Sequence, residues 1–499
     1  MRSDRAYSWQ TIGVLSVALV LRVLGLNKGI WLDEASSINV ISNPDFPRNL
    51  FFYDQLPLYF ILLKFWSSIN NSEEFLRLFS VLLGFGTVAV IMRWIGYYSH
   101  FGSLLAGLYC STLPILLRYS QEIRGYGLLL FVSALSFLFA SRITIYPDRR
   151  SGYIGLGLSL TAAITTHAIG IMVVPSVCLY LFCAWKRVRL NKVIPAIGVP
   201  LVIFLVQYHF HTRMRPGSNW WMPPISAELI GGTASKVFGF SAAVQLIGSW
   251  FPSLANDIKI WLHNILTVSF VAALGLVLPV CSRWKHAAPL LAGALLFWLL
   301  IIGYSIVSLP IFIDRTTLPG LIPFIGFLGL SISTIRMRRA RILFAGGLVL
   351  VCFVFGLNWI KNEADKPIEG WKQLAQLIKA TRRPNDLLIA YPSFIELPLR
   401  YYVDLPIETT VLISRESNVN WVEEETRRRL AEYQRTTDSF AVFLVVRFGP
   451  AVDKPEIGRR LATELESRLG PPTFSATSGI WPILSLQKYE FHRPKLRAD

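Results

Sequence analysis

Asp33 and Glu34, in Trp31-Leu32-Asp33-Glu34, directly follow the first apolar span of this 499-residue chain. Acids are scarce around them: residues 1–360 hold 12 Asp and Glu against 28 Lys and Arg. Asp33, Glu34, Asp45, Asp54, Glu73 and Glu74 crowd into one short region. An acid pair beside a membrane surface in a cationic chain can serve as a proton acceptor or hold a polar ligand. The competing reading is a solvated loop that is simply acidic. A second polar run, Tyr119-Ser120-Gln121-Glu122-Ile123-Arg124-Gly125-Tyr126, opens a later apolar span. Arginine at that depth suits a lipid phosphate, because its guanidinium is permanently charged and forked. Arg77 and the pair Asp314-Arg315 stand at comparable helix ends. The competing reading for each arginine is ordinary snorkelling, and Arg22 inside the first span is read that way.

The elements that must position these residues are membrane spans. Apolar residues make up 53% and charged residues 16%, which points to a polytopic membrane protein. The net charge of +18 is uneven: residues 361–499 carry 21 basic and 19 acidic side chains and are nearly neutral. The excess cation lies in the apolar part, where positive loops explain it better than nucleic acid does. The five cysteines all lie in apolar segments without metal spacing, so no disulfide framework is implied. With roughly 20 apolar residues needed per span, about eleven fit. They run near 9–26, 75–97, 101–119, 125–146, 152–167, 168–185, 193–210, 261–282, 286–307, 316–334 and 341–360. The first reads as a retained signal anchor. Pro57 to Ile69 is short and contains Lys64, so it is expected to lie on the surface within a first outer loop, 27–74. That choice gathers nearly every basic cluster on the cytoplasmic side. It puts Asp33, Glu34, Asp54, Gln55, Arg77, Gln121, Glu122, Arg124, Tyr126, His167, Asp314 and Arg315 outside, with loop 211–260 and residues 361–499. Helices over 370–381, 421–434 and 457–469 alternate with strands over 386–391 and 440–447, which predicts a small α/β domain.

Four motifs occur in order along residues 9–330: Trp31-Leu32-Asp33-Glu34, Asp54-Gln55-Leu56-Pro57-Leu58-Tyr59, Phe75-Leu76-Arg77-Leu78-Phe79-Ser80, and Gln121-Glu122-Ile123-Arg124 within its run. On this topology they resemble the GT-C membrane glycosyltransferases, in particular the dolichyl-phosphate-mannose protein mannosyltransferases and the lipid A aminoarabinose transferases. The resemblance implies a polytopic α-helical GT-C fold over 1–360 with a soluble outer α/β domain over 361–499. It implies sugar transfer from a polyprenyl phosphate to a lipid, glycan or protein acceptor on the outer face, in a bacterial inner membrane. Asp33 is then the general base, with inversion expected, and Glu34 supports the sugar or the site. Arg124, Arg77 and Arg315 are candidates for the donor phosphate. Asp54, Gln55, Tyr59, Gln121, Glu122, Tyr126 and His167 are candidates for substrate contact, although a lone His in a tight turn is more often structural. The chain departs from relatives that carry His-Pro-Pro or Glu-Lys-Pro, since Asp54-Gln55-Leu56-Pro57 lacks their phosphate-binding lysine.

No cofactor is called for, and no Asp-x-Asp occurs, which disfavours a metal-bridged nucleotide-sugar route. The residues leave a divalent metal open. No Trp-Trp-Asp-Tyr-Gly occurs, which argues against an oligosaccharyltransferase. Trp220 and Trp221 fit an interfacial aromatic belt better than a sugar platform. A transporter or flippase of a lipid-linked sugar is the main alternative, but such folds favour midplane charges and internal repeats. A glycan polymerase is close in chemistry and stays open.

Overall fold

The computed structural model describes residues 2–46, 56–214, 222–251, 281–406, 409–414, 419–449, 455–478 and 482–492, with residues 258, 261 and 265 besides. The chain divides into two compact units. One comprises residues 1–27 and 40–366, and the other 28–39 and 367–499. The division falls inside the second helix.

Through residue 366 the helices are α1 Arg2–Val23, α2 Leu32–Ser42, α3 Pro57–Ser67, α4 Glu73–Gly96, α5 His100–Thr112, α6 Pro114–Tyr119, α7 Tyr126–Ile145 and α8 Arg150–Thr166. They continue with α9 Val173–Cys183, α10 Leu190–Met214, α11 Ala227–Phe238, α12 Phe240–Trp250, α13 Trp284–Val307, α14 Leu321–Ser333 and α15 Arg338–Asn358. Five helical stretches among the described residues are long and apolar enough to cross a membrane: Glu73–Gly96, Tyr126–Ile145, Leu190–His209, Trp284–Val307 and Arg338–Glu363. Three shorter apolar stretches, Ser8–Val23, Ala168–Cys183 and Leu318–Ser333, accompany them. The chain is a multi-pass membrane protein.

Most expected spans coincide with helices. The expected span at 261–282 lies almost wholly outside the described residues. Within 57–69, Pro57–Ser67 form the short α3, with Pro57 in its first turn, where a missing N–H costs nothing. The Lys64 ammonium donates to the Ile41 carbonyl. Ser72, part of a formal glycosylation sequon, caps α4 by accepting the Phe75 N–H at 3.4 Å. The stretch read as loop 211–260 holds the end of α10 and both α11 and α12. Gly239 ends α11 at φ 81° and lets the chain turn into α12.

The expected span at 101–119 is broken. Helix α5 stops at Thr112 and α6 starts at Pro114. Proline has no N–H, so the Cys110 carbonyl four residues back loses its helical partner. Inside a bilayer no water replaces it. Arg22, fully buried in α1, does so instead. Its Nη2 donates to the Cys110 carbonyl at 3.0 Å and its Nη1 to the Ser111 carbonyl at 3.2 Å. Its Nε reaches Ser120 Oγ at 3.2 Å. Gly84 of α4 leaves room for this approach, since a Cβ there would stand 2.2 Å from Ser120 Oγ. The expectation that Arg22 snorkels is therefore corrected: it is an interior clamp. Besides the Ala18 carbonyl of its own helix, its partners lie 88–98 residues away, where nothing beside it in the chain announces them.

In the second unit, residues 367–499 form α16 Trp371–Thr381, β1 Leu387–Tyr391, α17 Glu396–Tyr402, β2 Thr410–Leu412, α18 Val419–Thr436, β3 Ser439–Phe448, α19 Pro455–Leu469, β4 Phe474–Thr477 and β5 Ile483–His492. The strand order is β2-β1-β3-β5-β4. Strand β1 runs parallel to β2 and β3, and β5 runs antiparallel to β3 and β4. Alternation along β1 and β3 sends Leu388, Ala390, Phe443 and Val445 to one face, packed with Trp371, Leu374 and Ile378 of α16. Ile389, Val442, Leu444 and Val446 go to the other, packed with Leu430 of α18 and Leu461 and Leu465 of α19. This compact unit comprises residues 28–39 and 367–499.

Arg22→Leu should lower the melting temperature in detergent, because each buried carbonyl left without a donor costs about 1–3 kcal/mol. Pro114→Ala returns an N–H for Cys110, so Arg22→Leu should cost less in that background. An equal loss in both backgrounds would remove the clamp from this account.

Candidate active site

The break at Pro114 sets up the polar run that follows. After α6 the chain does not resume a helix until Tyr126, and its polar groups are satisfied piecemeal. The Gln121 amide nitrogen donates to the carbonyls of Arg22 at 2.9 Å and Leu24 at 2.5 Å, which closes the end of α1. Ser80 of α4 donates to the Glu122 carbonyl at 2.6 Å. Gln121, Glu122 and Arg124 are all buried.

Side chains from three parts of the first unit converge on this run. Arg118 Nε and Glu122 Oε1 form an ion pair at 3.1 Å, with the Glu122 side chain buried and Arg118 42% exposed. The Arg118 guanidinium lies 5.7 Å from the centre of the Tyr119 ring. The Tyr119 hydroxyl donates to Asp314 Oδ1 at 3.4 Å, and the Arg315 amide donates to the same oxygen at 2.8 Å. The Arg315 guanidinium stands 6.0 Å from the Tyr126 ring centre. Tyr126 meets Tyr119 edge-on at 5.3 Å and His167 at 5.4 Å. His167 Nδ1 accepts the Ile169 N–H at 3.1 Å, which fixes the ring in the turn after α8. Arg124 and Arg315 both lie within electrostatic reach of that imidazole. Three guanidiniums, two carboxylates, two phenols and an imidazole thus share one locality. Such a set can bind a phosphate by charge and a sugar by hydrogen bonds and ring contact.

Glu122, Arg124, Tyr126, His167 and Arg315, named from sequence separately, are brought together here. Gln121 adjoins them, but its amide nitrogen serves the carbonyls of α1. Arg77 is fully buried in α4, and its Nη1 donates to the Leu26 carbonyl at 2.6 Å. Tyr59 is fully buried in α3 with its ring 6.0 Å from Phe79. The start of α3 adjoins the His167 turn, because the Leu56 N–H donates to the Thr166 carbonyl at 3.3 Å. Asp54, Gln55, Trp220 and Trp221 lie outside the described residues. Sequence reasoning missed Arg118. The signal was its i,i+4 spacing to Glu122, which is visible in the sequence but was read as part of a span.

Asp33 and Glu34 belong to the second unit. They occupy the first turn of α2. Glu34, fully buried, accepts the Trp31 N–H on Oε2 at 3.3 Å, which is the reaching-back half of a capping box. Its neighbour Asp33, one position earlier in the same turn, is half-buried. Glu369 accepts the Leu32 N–H at 3.3 Å on Oε2 and Arg447 Nη2 at 2.9 Å on Oε1. Sequence reasoning singled out neither Glu369 nor Arg447. Among the described residues, no group of three His, Cys, Asp or Glu side chains is placed to hold a metal ion.

Residues 54–210 match the family described as dolichyl-phosphate-mannose-protein mannosyltransferase. Comparison with curated proteins finds no match. Among solved structures, ArnT from Cupriavidus metallidurans in the apo state gives a TM-score of 0.57 at 12% identity, over 97% of this chain and 98% of that one. The same protein bound to undecaprenyl phosphate gives 0.55 with the same identity and coverage. The apo oligosaccharyltransferase of Archaeoglobus fulgidus gives 0.50 at 10% identity, over 88% of this chain and 69% of that one. The fold is that of the GT-C membrane glycosyltransferases, as the four motifs implied.

Arg118→Ala removes the Glu122 carboxylate's 3.1 Å partner and should destabilise the chain by about 1–2 kcal/mol, since a buried carboxylate depends on its donors. In a Glu122→Gln background the same change should cost markedly less. Thermal melts of the four variants in detergent measure the coupling, and strict additivity would contradict it.

Proposed function

We propose that this chain transfers a sugar from a polyprenyl-phosphate donor to an acceptor hydroxyl on the outer face of a bacterial inner membrane. The acceptor oxygen attacks the anomeric carbon from the face opposite the phosphate. Its proton passes to the Asp33 carboxylate. The bond from the anomeric carbon to the phosphate oxygen breaks, and its electron pair leaves with the polyprenyl phosphate. The products are an inverted glycoside and the free lipid phosphate.

The observation that carries this reading is the cluster of Arg118, Arg124 and Arg315. It sits on a fold shared end to end with a protein solved with undecaprenyl phosphate bound. A lipid phosphate is already a good leaving group at neutral pH and needs charge stabilisation more than a proton. Guanidiniums supply that without any change of protonation. Glu122 holds the Arg118 guanidinium and Asp314 accepts the Arg315 backbone N–H, a supporting shell for groups that must meet the phosphate. The half-buried His167 ring, 5.4 Å from the buried Tyr126 ring, offers surface beside them for the sugar. Asp33 is read as the base from its place in the first-turn acid pair, where Glu34 is engaged in capping α2. Glu34 thereby becomes a structural rather than a reacting group.

Asp33→Asn keeps the shape and removes the basicity. It should lower turnover by about 10²–10⁴-fold while donor affinity and expression hold. Arg124→Ala should weaken binding of polyprenyl-phosphate sugar, and Arg124→Lys, which keeps charge but loses the fork, should be impaired to a lesser degree. Donor affinity and sugar transfer in lipid nanodiscs measure both. Near-parental transfer by Asp33→Asn would overturn the base assignment. Parental donor affinity in Arg124→Ala would move the phosphate to Arg118 and Arg315.

A further inference from the structure

The segment carrying Asp33 is tied into the second unit by its backbone. A helix N-terminus leaves its first N–H groups without helical partners, and each must find an acceptor. At α2 two different carboxylates do this. Glu34, from the helix itself, takes the Trp31 N–H at 3.3 Å. Glu369, 337 residues further along, takes the Leu32 N–H at 3.3 Å. One residue earlier, the Ile30 N–H donates to the Tyr402 hydroxyl at 2.7 Å. Gly29, at φ 85°, crosses so close to α16 that a Cβ there would stand 3.1 Å from Lys372 Cβ.

Glu369 is 1% exposed and its other contacts are strong. Oε1 holds Arg447 Nη2 at 2.9 Å, and Oε2 also accepts the Trp371 indole N–H. Arg447 comes from the central strand β3, is 6% exposed, and stacks 5.8 Å from the Phe394 ring. A buried ion pair is a poor way to stabilise a domain, because desolvation offsets most of its attraction. What this pair does that an apolar pair could not is present a fixed carboxylate oxygen to the backbone N–H adjoining Asp33. A negative charge at that place also complements the positive end of α2.

We propose that Glu369, fixed by Arg447 and Trp371, is a positioning residue for Asp33. By anchoring the Leu32 amide to β3 through a buried ion pair, it sets the direction in which the neighbouring carboxylate faces. The proposal rests on Asp33 being the base of the transfer reaction. Catalytic groups depend on such support, since small misplacements of a reacting group cost much of the rate.

The test uses the full chain in lipid nanodiscs with two independent readouts. Hydrogen exchange by mass spectrometry should show residues 28–36 exchanging at least tenfold faster in Glu369→Gln, with β1 and β3 unchanged. Steady-state transfer should show kcat falling about tenfold with KM for the donor held, the pattern of a misaligned base rather than lost substrate binding. Arg447→Lys should recover more of both than Arg447→Met does. If Glu369→Gln folds poorly, Leu32→Pro deletes only the N–H at a position where proline suits a helix, with Leu32→Ala as the side-chain reference. A lower kcat for Leu32→Pro than for Leu32→Ala supports the anchor. Unchanged exchange over 28–36 in Glu369→Gln, or equal kcat for the two Leu32 variants, overturns it. If the parent chain transfers no sugar, the functional reading fails, while the exchange comparison still decides the anchor.

Discussion

A membrane protein has no water with which to mend a broken helix, and this chain breaks one at Leu113-Pro114. The break frees carbonyls at Cys110 and Ser111, and the buried Arg22 guanidinium takes both. With that satisfied, the chain can leave helical geometry for Ser120 to Gly125 and resume it at Tyr126. The irregular stretch gives the polar run its reach. A continuous helix would keep Arg118 and Glu122 on one face, four residues apart, but would turn Arg124, two residues further on, away from both. Gln121 completes the arrangement by closing the carbonyl end of α1. An interior charge, placed to serve backbone rather than substrate, is thus the condition for a site made of charges.

How much of this was legible in the sequence follows from the range of each interaction. Hydropathy located the helices because crossing a bilayer requires a local run of apolar residues. The alternation of helices and strands in residues 370–469 was equally local. Motif order supplied Glu122, Arg124 and Tyr126, the outer-loop topology and the resemblance supplied His167 and Arg315, and the fold brought them together from three separate segments. What escaped was pairwise and distant. Arg22 looked like a snorkelling residue because nothing near it in sequence marks the carbonyls it serves. Residues 28–39 looked like part of a membrane loop, yet they pack with residues 367–499, because the partners of Ile30 and Leu32 are Tyr402 and Glu369. Strands β2, β4 and β5 were not foreseen, although Gly470-Pro471-Pro472 marks a turn ahead of β4.

Two kinds of acid emerge from a chain that has few. Glu122, Asp314 and Glu369 each hold a cationic or N–H partner and shape the structure around it. Glu34 caps its own helix. Asp33 stands next to a capping acid and to the Leu32 amide that Glu369 holds. The arginines divide the same way: Arg22 and Arg77 serve backbone carbonyls, whereas Arg118, Arg124 and Arg315 gather around the aromatic rings of Tyr119, Tyr126 and His167. Partner type separates these groups where residue type alone does not.

The central claim is that the chain consumes a polyprenyl-phosphate-linked sugar. Mass spectrometry of total lipids from cells with and without the gene tests it most directly. The account predicts that a polyprenyl-phosphate sugar accumulates when the gene is absent, and that the parent chain, but not Asp33→Asn, returns it to its former level. A lipid-linked sugar pool that is the same in both cells would contradict it.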